Sequence, residues 1–293
     1  MVDVAVIVPT FNRARTIEAS VESLLAQQGV ALEVVVVDDG STDDTVDRLA
    51  RRGDPRLRVL AREHAGIAGA RNAGIAASEA RYVAFHDSDD LALPGRLASP
   101  VRHLDEHPEL AFVIQNGRMV PPGEPWIAPG VAARLAARPL TVAEVFRWNL
   151  GQLQGTCFRR GALATAGPLD TSLGILDDLD LVLRVAARHR GAFLDVPAFE
   201  YRRGGGVARN RDRVHEEAIA VAEKLVAAYP EALEAIGPRA FRRRQARRYA
   251  RVARVRAAAG DLAGARRALE QACRLAPFSP RYRWAAFRVG WGP

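Results

Sequence analysis

Lysine and cysteine are almost missing from this chain: its 293 residues include one lysine, Lys224, and two cysteines, Cys157 and Cys273. The cysteines lie far apart and outside any C-x-x-C spacing, which excludes a disulfide framework and a cysteine zinc site and points to a reducing compartment, the cytoplasm. No stretch approaches the roughly 18 consecutive apolar residues of a membrane span. The opening MVDVAVIVPT lacks a basic n-region, and its apolar run stops at Pro9, so it reads as a first strand and not as a secretory signal. Two phosphate-binding signatures are also absent. A dinucleotide fold would place G-x-G-x-x-G after the first strand, where this chain reads PTFNRA, and there is no G-K-[ST] loop. His64, His103 and His189 show no ligand spacing and read as solvated or capping residues.

Positive charge is plentiful and unevenly placed. Residues 1–210 carry 24 basic side chains against 26 acidic ones, whereas residues 211–293 carry 18 against 8, so the net +8 belongs to the tail. A GC-rich genome would favour arginine over lysine without functional cause. The tail patterns as helices over 213–229 and 240–259. In the second, Arg244, Arg247, Arg248, Arg251 and Arg254 form one stripe, with Phe241, Tyr249, Val252 and Val255 near another, as in an amphipathic helix packed on a domain. The arginine stripe fits a solvated face equally with one that meets anionic lipid, an acidic peptide or nucleic acid. Too few aromatics interleave with the arginines to favour nucleic acid, so a solvated face, an acidic peptide and peripheral contact with the inner face of a membrane stay open. GDLAGARRALEQACRLAP resembles the second helix of a tetratricopeptide pair. Such repeats need about three copies to stand alone, so this one reads as a helical cap.

The first half alternates apolar strand-like runs (Val2 to Val8, Leu32 to Val37, Leu57 to Leu60, Tyr82 to Phe85) with helical spacings, the second helix capped by Ser41 or Thr42. Continuous apolar strands alternating with helices specify an α/β fold with a parallel sheet covered on both faces. Ligands of such sheets sit outside the carboxyl ends of the strands, where Pro9-Thr10, Asp38-Asp39 and Asp87-Asp89 fall. At the end of the fourth strand, YVAFHDSDD gathers Asp87, Asp89 and Asp90. Two carboxylates about 4 Å apart repel by roughly 4 kcal/mol at a protein surface, so a cation, an arginine or solvent must offset them. Carboxylate oxygens suit Mg²⁺ or Mn²⁺. A D-x-D phosphohydrolase would usually place its acids on the first strand instead.

Taken in order, VAVIVPTFNRARTIEASVESLLAQ, LEVVVVDDGSTDDT, HAGIAGARNAGIAAS, YVAFHDSDDLALPGRL and LDDLDLVLR resemble the family 2 glycosyltransferases of the GT-A fold over about residues 2–205. The resemblance implies a Rossmann-like, mostly parallel sheet over residues 1–210, with a nucleotide-sugar half (about 1–95) and an acceptor half (about 96–210). The helical extension then covers 211–293. It further implies metal-dependent, inverting transfer of a sugar from a nucleoside diphosphate, UDP, to an acceptor hydroxyl or other nucleophile: a glycan, lipid-linked sugar, peptide or small metabolite. The alternative is a non-catalytic nucleotide-sugar or nucleic-acid-binding protein.

By the same resemblance, Pro9 and Thr10 would hold the base and Asp39 would accept the uracil imide hydrogen. Arg71 would lie beside the base or diphosphate, with Gly66 and Gly69 letting the backbone come close, and Asp87 would face the ribose. Asp89 would ligate Mn²⁺ or Mg²⁺ while Asp90 shapes the turn. Asp178 would be the base, Asp177 its neighbour and Asp180 the fallback, although Asp177 or Asp178 could equally cap the helix. Trp126, Trp148 and residues 149–156 are expected at the acceptor wall. Three positions depart from the family pattern: Asp177 stands where Glu is commoner, His86 replaces an apolar residue, and GGGVARN stands where many relatives place a histidine near the metal, with Gly204 to Gly206 a candidate flap.

Overall fold

The computed structural model describes residues 2–121, 123–202 and 211–290, and the chain divides into two compact units, Met1–Gly206 and Val207–Pro293. The first unit is built on strands β1 (Val4–Thr10), β2 (Leu32–Asp38), β3 (Leu57–Ala61), β4 (Tyr82–Phe85), β5 (Leu91–Ala92), β6 (Leu110–Val120), β7 (Thr156–Arg159) and β8 (Arg190–Arg202). They form one eight-stranded sheet in the order β3-β2-β1-β4-β7-β6-β8-β5. The interleaved helices are α1 (Ile17–Leu25), α2 (Thr45–Ala50), α3 (Gly66–Ala76), α4 (Ala98–Glu106), α5 (Pro129–Ala136), α6 (Val142–Trp148), α7 (Arg160–Ala166) and α8 (Asp177–Arg188).

The four strands expected from apolar runs are the parallel half, with β1 seated between β2 and β4. Every residue of β1 and β4 is buried, because helices cover both faces and no position is left for a polar alternation. The mostly parallel sheet expected is found, its exceptions being β7, which runs antiparallel to β4 and β6, and the short β5, antiparallel to β8. Ser41 and Thr42 do not cap α2, whose N-cap position is Asp44; Ser41 Oγ instead accepts from Asn12 N at 2.8 Å.

Arg96 ties the antiparallel half to the end of β4. It is fully buried and donates to the carbonyls of Phe85 (3.0 Å), Gln154 (2.9 Å) and Thr156 (3.3 Å) and to Gln115 Oε1 (3.3 Å). These neutral acceptors replace water around the guanidinium, while burial still pushes its pKa down to about 10. On the other flank α3 lies so close to β1 that a Cβ at Gly74 would stand 2.3 Å from Ile7 Cγ2. Overpacking of this kind costs about 1–3 kcal/mol, so Gly74→Ala is expected to lower the thermal midpoint by several degrees, measurable by calorimetry.

The second unit comprises α9 (Arg211–Ala228), α10 (Pro230–Ile236), α11 (Pro238–Ala258), α12 (Leu262–Leu275) and α13 (Pro280–Gly290). Its core joins Ile219 of α9, Val252 and Ala253 of α11, and Ala265, Ala268 and Leu269 of α12, small residues that let α11 and α12 approach closely. Asp261 caps α12 by accepting from Gly264 N at 2.7 Å. The arginine stripe of α11 is not one solvated face: Arg248 is buried, donating to Ala218 O at 2.6 Å and Gln245 Oε1 at 2.9 Å. Among the described residues no helix is long and apolar enough to cross a membrane.

Candidate functional site

Three acidic segments converge on the carboxyl edge of β1, β2 and β4. Thr10 closes β1, buried, with its hydroxyl oxygen lacking a partner. Just past β2, Asp39 N donates to Thr10 O at 2.9 Å, which sets the two strand ends side by side. The Asp39 carboxylate is buried at the start of α3, accepting from Ala65 N (3.0 Å) and Gly66 N (2.9 Å), with His64 Nδ1 2.9 Å away. A carboxylate has about four lone-pair sites, so these contacts orient it and leave capacity for one further donor. Phe11 is 42% exposed and its ring lies 4.8 Å from that of His64, making an open-sided aromatic pair beside Asp39. Neither Phe11 nor His64 stood out in the sequence, although each adjoins a strand-end motif.

Beyond β4, the three acids of HDSDD diverge. Asp87 accepts from Arg71 at 3.2 Å, Asp89 lies 3.7 Å from Arg13, and Asp90 is buried and accepts from Arg202 N at 3.0 Å. Two arginines therefore already offset part of the repulsion. Burial, then Asp87, pushes the Asp90 carboxyl up to about 8, and its Oδ2 has no hydrogen-bond partner. Burial also raises Asp87, with Arg71 opposing and Asp89 reinforcing the rise. The three carboxylates are not drawn together as a ligand trio, but hard oxygen donors that include the orphan Asp90 Oδ2 are of the kind that suits Mg²⁺ or Mn²⁺, which need only one or two carboxylates. His86 is buried, its Nε2 donating to Asp90 O at 3.3 Å, and is pushed down to about 3 by burial and then by Arg96, so it stays neutral.

Arg71 links this edge to α8. Buried to 5% exposure, it donates to Asp87 Oδ1 and, at 2.9 Å, to the buried Asp177 Oδ2. Burial works against its charge, but Asp177, Asp87 and Asp178 outweigh that and raise its pKa. Asp177 and Asp178 are the first two residues of α8, behind an N-cap at Leu176, so neither is the cap. Asp178 accepts from Leu179 N at 2.6 Å, and burial, then Asp177, pushes its carboxyl up to about 7 against the pull of Arg71. That value is matched to taking a proton near neutrality. Asp180 is committed elsewhere, bonded at 2.8 Å to Arg184, which also donates to Pro168 O at 2.9 Å.

The remaining expected residues scatter. Gly151 packs on the first turn of α8, where a Cβ would meet Leu179 Cα at 2.9 Å, so the 149–156 segment adjoins Asp178. Trp126 sits instead against Tyr201, ring centroids 4.9 Å apart, and Trp148 lies under Arg147. Gly204 to Gly206 lie outside the described residues. His103 is not isolated as its sequence context suggested: with Glu106 and His107 it offers ligand atoms within 4.8 Å of one another, an arrangement able to hold a divalent ion. This trio closes α4, with His107 as the C-cap just past its end, and Asp105 of the same turn accepts from Arg81 and from Tyr82 at the start of β4. It therefore lies toward the amino-terminal edge of the sheet, opposite Asp39 and Asp87, and does not serve them.

A largely parallel sheet with acids converging on its carboxyl edge, and an acidic helix start bridged to them, is a GT-A-like arrangement. Residues 5–141, just under half of the chain, match the profile of Glycosyl transferase family 2, which is what this stretch is similar to. It is 47% identical over 104 residues to the succinoglycan biosynthesis protein ExoO of Rhizobium meliloti (strain 1021), covering 35% of this chain and 30% of that one. It is 39% identical over 118 residues to the Escherichia coli UDP-Glc:alpha-D-GlcNAc-diphosphoundecaprenol beta-1,3-glucosyltransferase WfgD, covering 40% and 46%. The chain thus spans less than half the length of either relative. Its fold is similar to S. aureus TarS 1-349 in complex with UDP-GlcNAc (TM-score 0.66, 18% identity, 98% and 92% covered). It is likewise similar to the mannosyltransferase PcManGT of Pyrobaculum calidifontis with GDP-Man and Mn2+ (TM-score 0.62, 23% identity, 99% and 86% covered).

Proposed function

We propose that this protein transfers a sugar, with inversion, from a uridine diphosphate donor to an acceptor hydroxyl or similar nucleophile. The observation that carries the reading is Asp178, a carboxyl raised to about 7 and joined to the donor edge through Asp177, Arg71 and Asp87. Residues 1–95 form the nucleotide-sugar half and residues 96–210 the acceptor half. Pro9 and Thr10 hold the base, and Asp39, oriented by the Ala65 and Gly66 amides, accepts the imide hydrogen that uracil has and cytosine lacks. Asp87 faces the ribose while Arg71 fixes it from behind. Asp89 holds Mn²⁺ or Mg²⁺ with Asp87 and Asp90 adjacent; when bound, the ion offsets the negative charge of the departing diphosphate. Asp178 takes the acceptor proton as the nucleophile attacks the anomeric carbon.

The uridine donor is also supported by WfgD, named for transfer from UDP-Glc. That relative is named for a diphosphoundecaprenol-linked acceptor, which favours a lipid-linked sugar over a glycan, peptide or small metabolite here. Such an acceptor would place the protein in the cytoplasm, peripheral to a membrane.

Turnover of a sugar-nucleotide panel with Mn²⁺, read as released nucleotide, tests the reading; silence with every donor overturns it. Asp89→Ala is expected to abolish the metal-dependent part of UDP binding, lowering affinity at least about tenfold, on the scale seen when a metal site loses support. Calorimetric titration with and without Mn²⁺ checks this, and equal affinity in wild type and variant would remove Asp89 from the metal site.

A further inference from the structure

The second unit carries a basic cavity that the transfer chemistry does not use. Its volume is about 930 Å³, and its walls are Arg239, Arg242, Arg243 and Arg247 of α11, Arg274 of α12 and Arg281 of α13. No carboxylate lines it, and none of these six arginines forms an ion pair among the described residues. Six guanidinium groups without a facing carboxylate around one hollow make a strongly positive surface that attracts anions. One of them, Arg247, acts on its own helix: burial first, then Arg251 and Arg247, lowers the pKa of Arg244.

The cavity is not purely ionic. Arg281 and Tyr282 also line, with Arg254, a second hollow of about 460 Å³ whose other walls are alanines, Leu262, Leu269 and Trp284. Large apolar side chains stand in water on this unit: Phe278, on the rim of the basic cavity, is 95% exposed, Trp284 62% and Leu262 51%. A soluble phosphate would need the arginines alone. A polynucleotide would need flat rings spaced between them, whereas here the apolar surface adjoins the basic one and includes aliphatic groups. Basic and apolar surfaces side by side suit an amphiphilic anion at a water–hydrocarbon boundary.

We propose that this face of the helical unit binds an anionic phospholipid bilayer, the arginine cavity taking phosphate headgroups while Phe278 and the neighbouring apolar hollow meet the acyl region. The surface goes beyond the transfer reaction and involves none of its residues.

Flotation of the full chain with vesicles of phosphatidylcholine alone, or mixed with phosphatidylglycerol, tests the proposal. Retention is expected on the mixed vesicles only and should fall with salt. Reversing two charges, Arg242→Glu with Arg243→Glu, is expected to weaken retention by well over tenfold, since each basic residue near an anionic surface contributes about fivefold. Phe278→Ser should lower it severalfold without touching the fold, because the side chain is already exposed. Equal retention on neutral vesicles, or retention indifferent to both changes, overturns the proposal. So does capture by polyadenylate with no vesicle binding. Displacement by inorganic phosphate beyond that by sodium chloride of equal ionic strength, with Phe278→Ser inert, would assign a soluble phosphate site and overturn it too. The readout is retention, so its failure is separate from any failure of turnover.

Discussion

Asp178→Asn is expected to lower kcat by about three orders of magnitude, within the range of general-base catalysis, while the KM for the sugar nucleotide stays nearly unchanged. The amide keeps the shape of the carboxyl and can still accept from Leu179 N, so the start of α8 should survive the change. The pH profile of the unaltered protein gives an independent check. A base must be ionised to act, and Asp178 is raised from 3.8 to about 7 by burial and then by Asp177. Turnover should therefore climb as pH rises through about 7 and level off above it. Stability runs the other way. An acid whose folded pKa exceeds its unfolded one favours the fold fully below the unfolded value, and that contribution is lost as pH rises through the folded value. At pH 8 the asparagine variant is thus expected to be more stable by about 1–2 kcal/mol, discounted for partial exposure, although it has lost its turnover. Lower activity with a higher melting temperature distinguishes a missing base from a damaged fold. A variant of normal activity would exclude Asp178 as the base.

The elements that frame this site were legible for a simple reason. β1 and β4 are buried on both faces and β2 is so except at the half-buried Glu33, so their sequences are apolar runs, and the acids that follow β2 and β4 mark where the runs meet the ligand edge. The antiparallel direction of β7 was not legible, because TCFR pairs with β4 and β6 through contacts made far along the chain and carries no directional mark of its own. Nor could the partners of Arg71 be read. GARNAG places an arginine on a helix near the edge, but the acid that holds it lies 106 residues later. Periodicity likewise located a basic stripe on α11 without distinguishing Arg248, which turns inward to two buried acceptors, from Arg247, which lines an open cavity. The spacing of His103 and His107, four residues apart across the end of α4, was also present in the sequence, where His103 by itself reads as a solvated or capping residue.

Arg71→Met is expected to be the most damaging single change to the folded state. The guanidinium is buried between Asp87 and Asp177, and the side chain of Asp177 is 3% exposed, so methionine would leave an acid in the interior with its partner gone. Breaking a buried pair from one side costs about 3–5 kcal/mol. For a unit of this size that corresponds to a fall in Tm of very roughly 6–20 °C. Removing both partners is a different matter, since apolar replacements of a buried pair are often nearly neutral. Arg71→Met combined with Asp177→Leu should therefore recover most of the stability lost by Arg71→Met alone. Activity should not recover with it, because Asp87 keeps its place through the same guanidinium. The pH profile should respond as well: Arg71 holds the Asp178 carboxyl down, so in Arg71→Met the rise in turnover should move to higher pH. In the double variant the loss of Asp177, which holds that carboxyl up, should bring the rise back toward its original position. Chemical denaturation and pH profiles of the four proteins complete the cycle. Losses that simply add would mean the two side chains do not act as a pair, and that the donor edge and the base are not joined through Arg71.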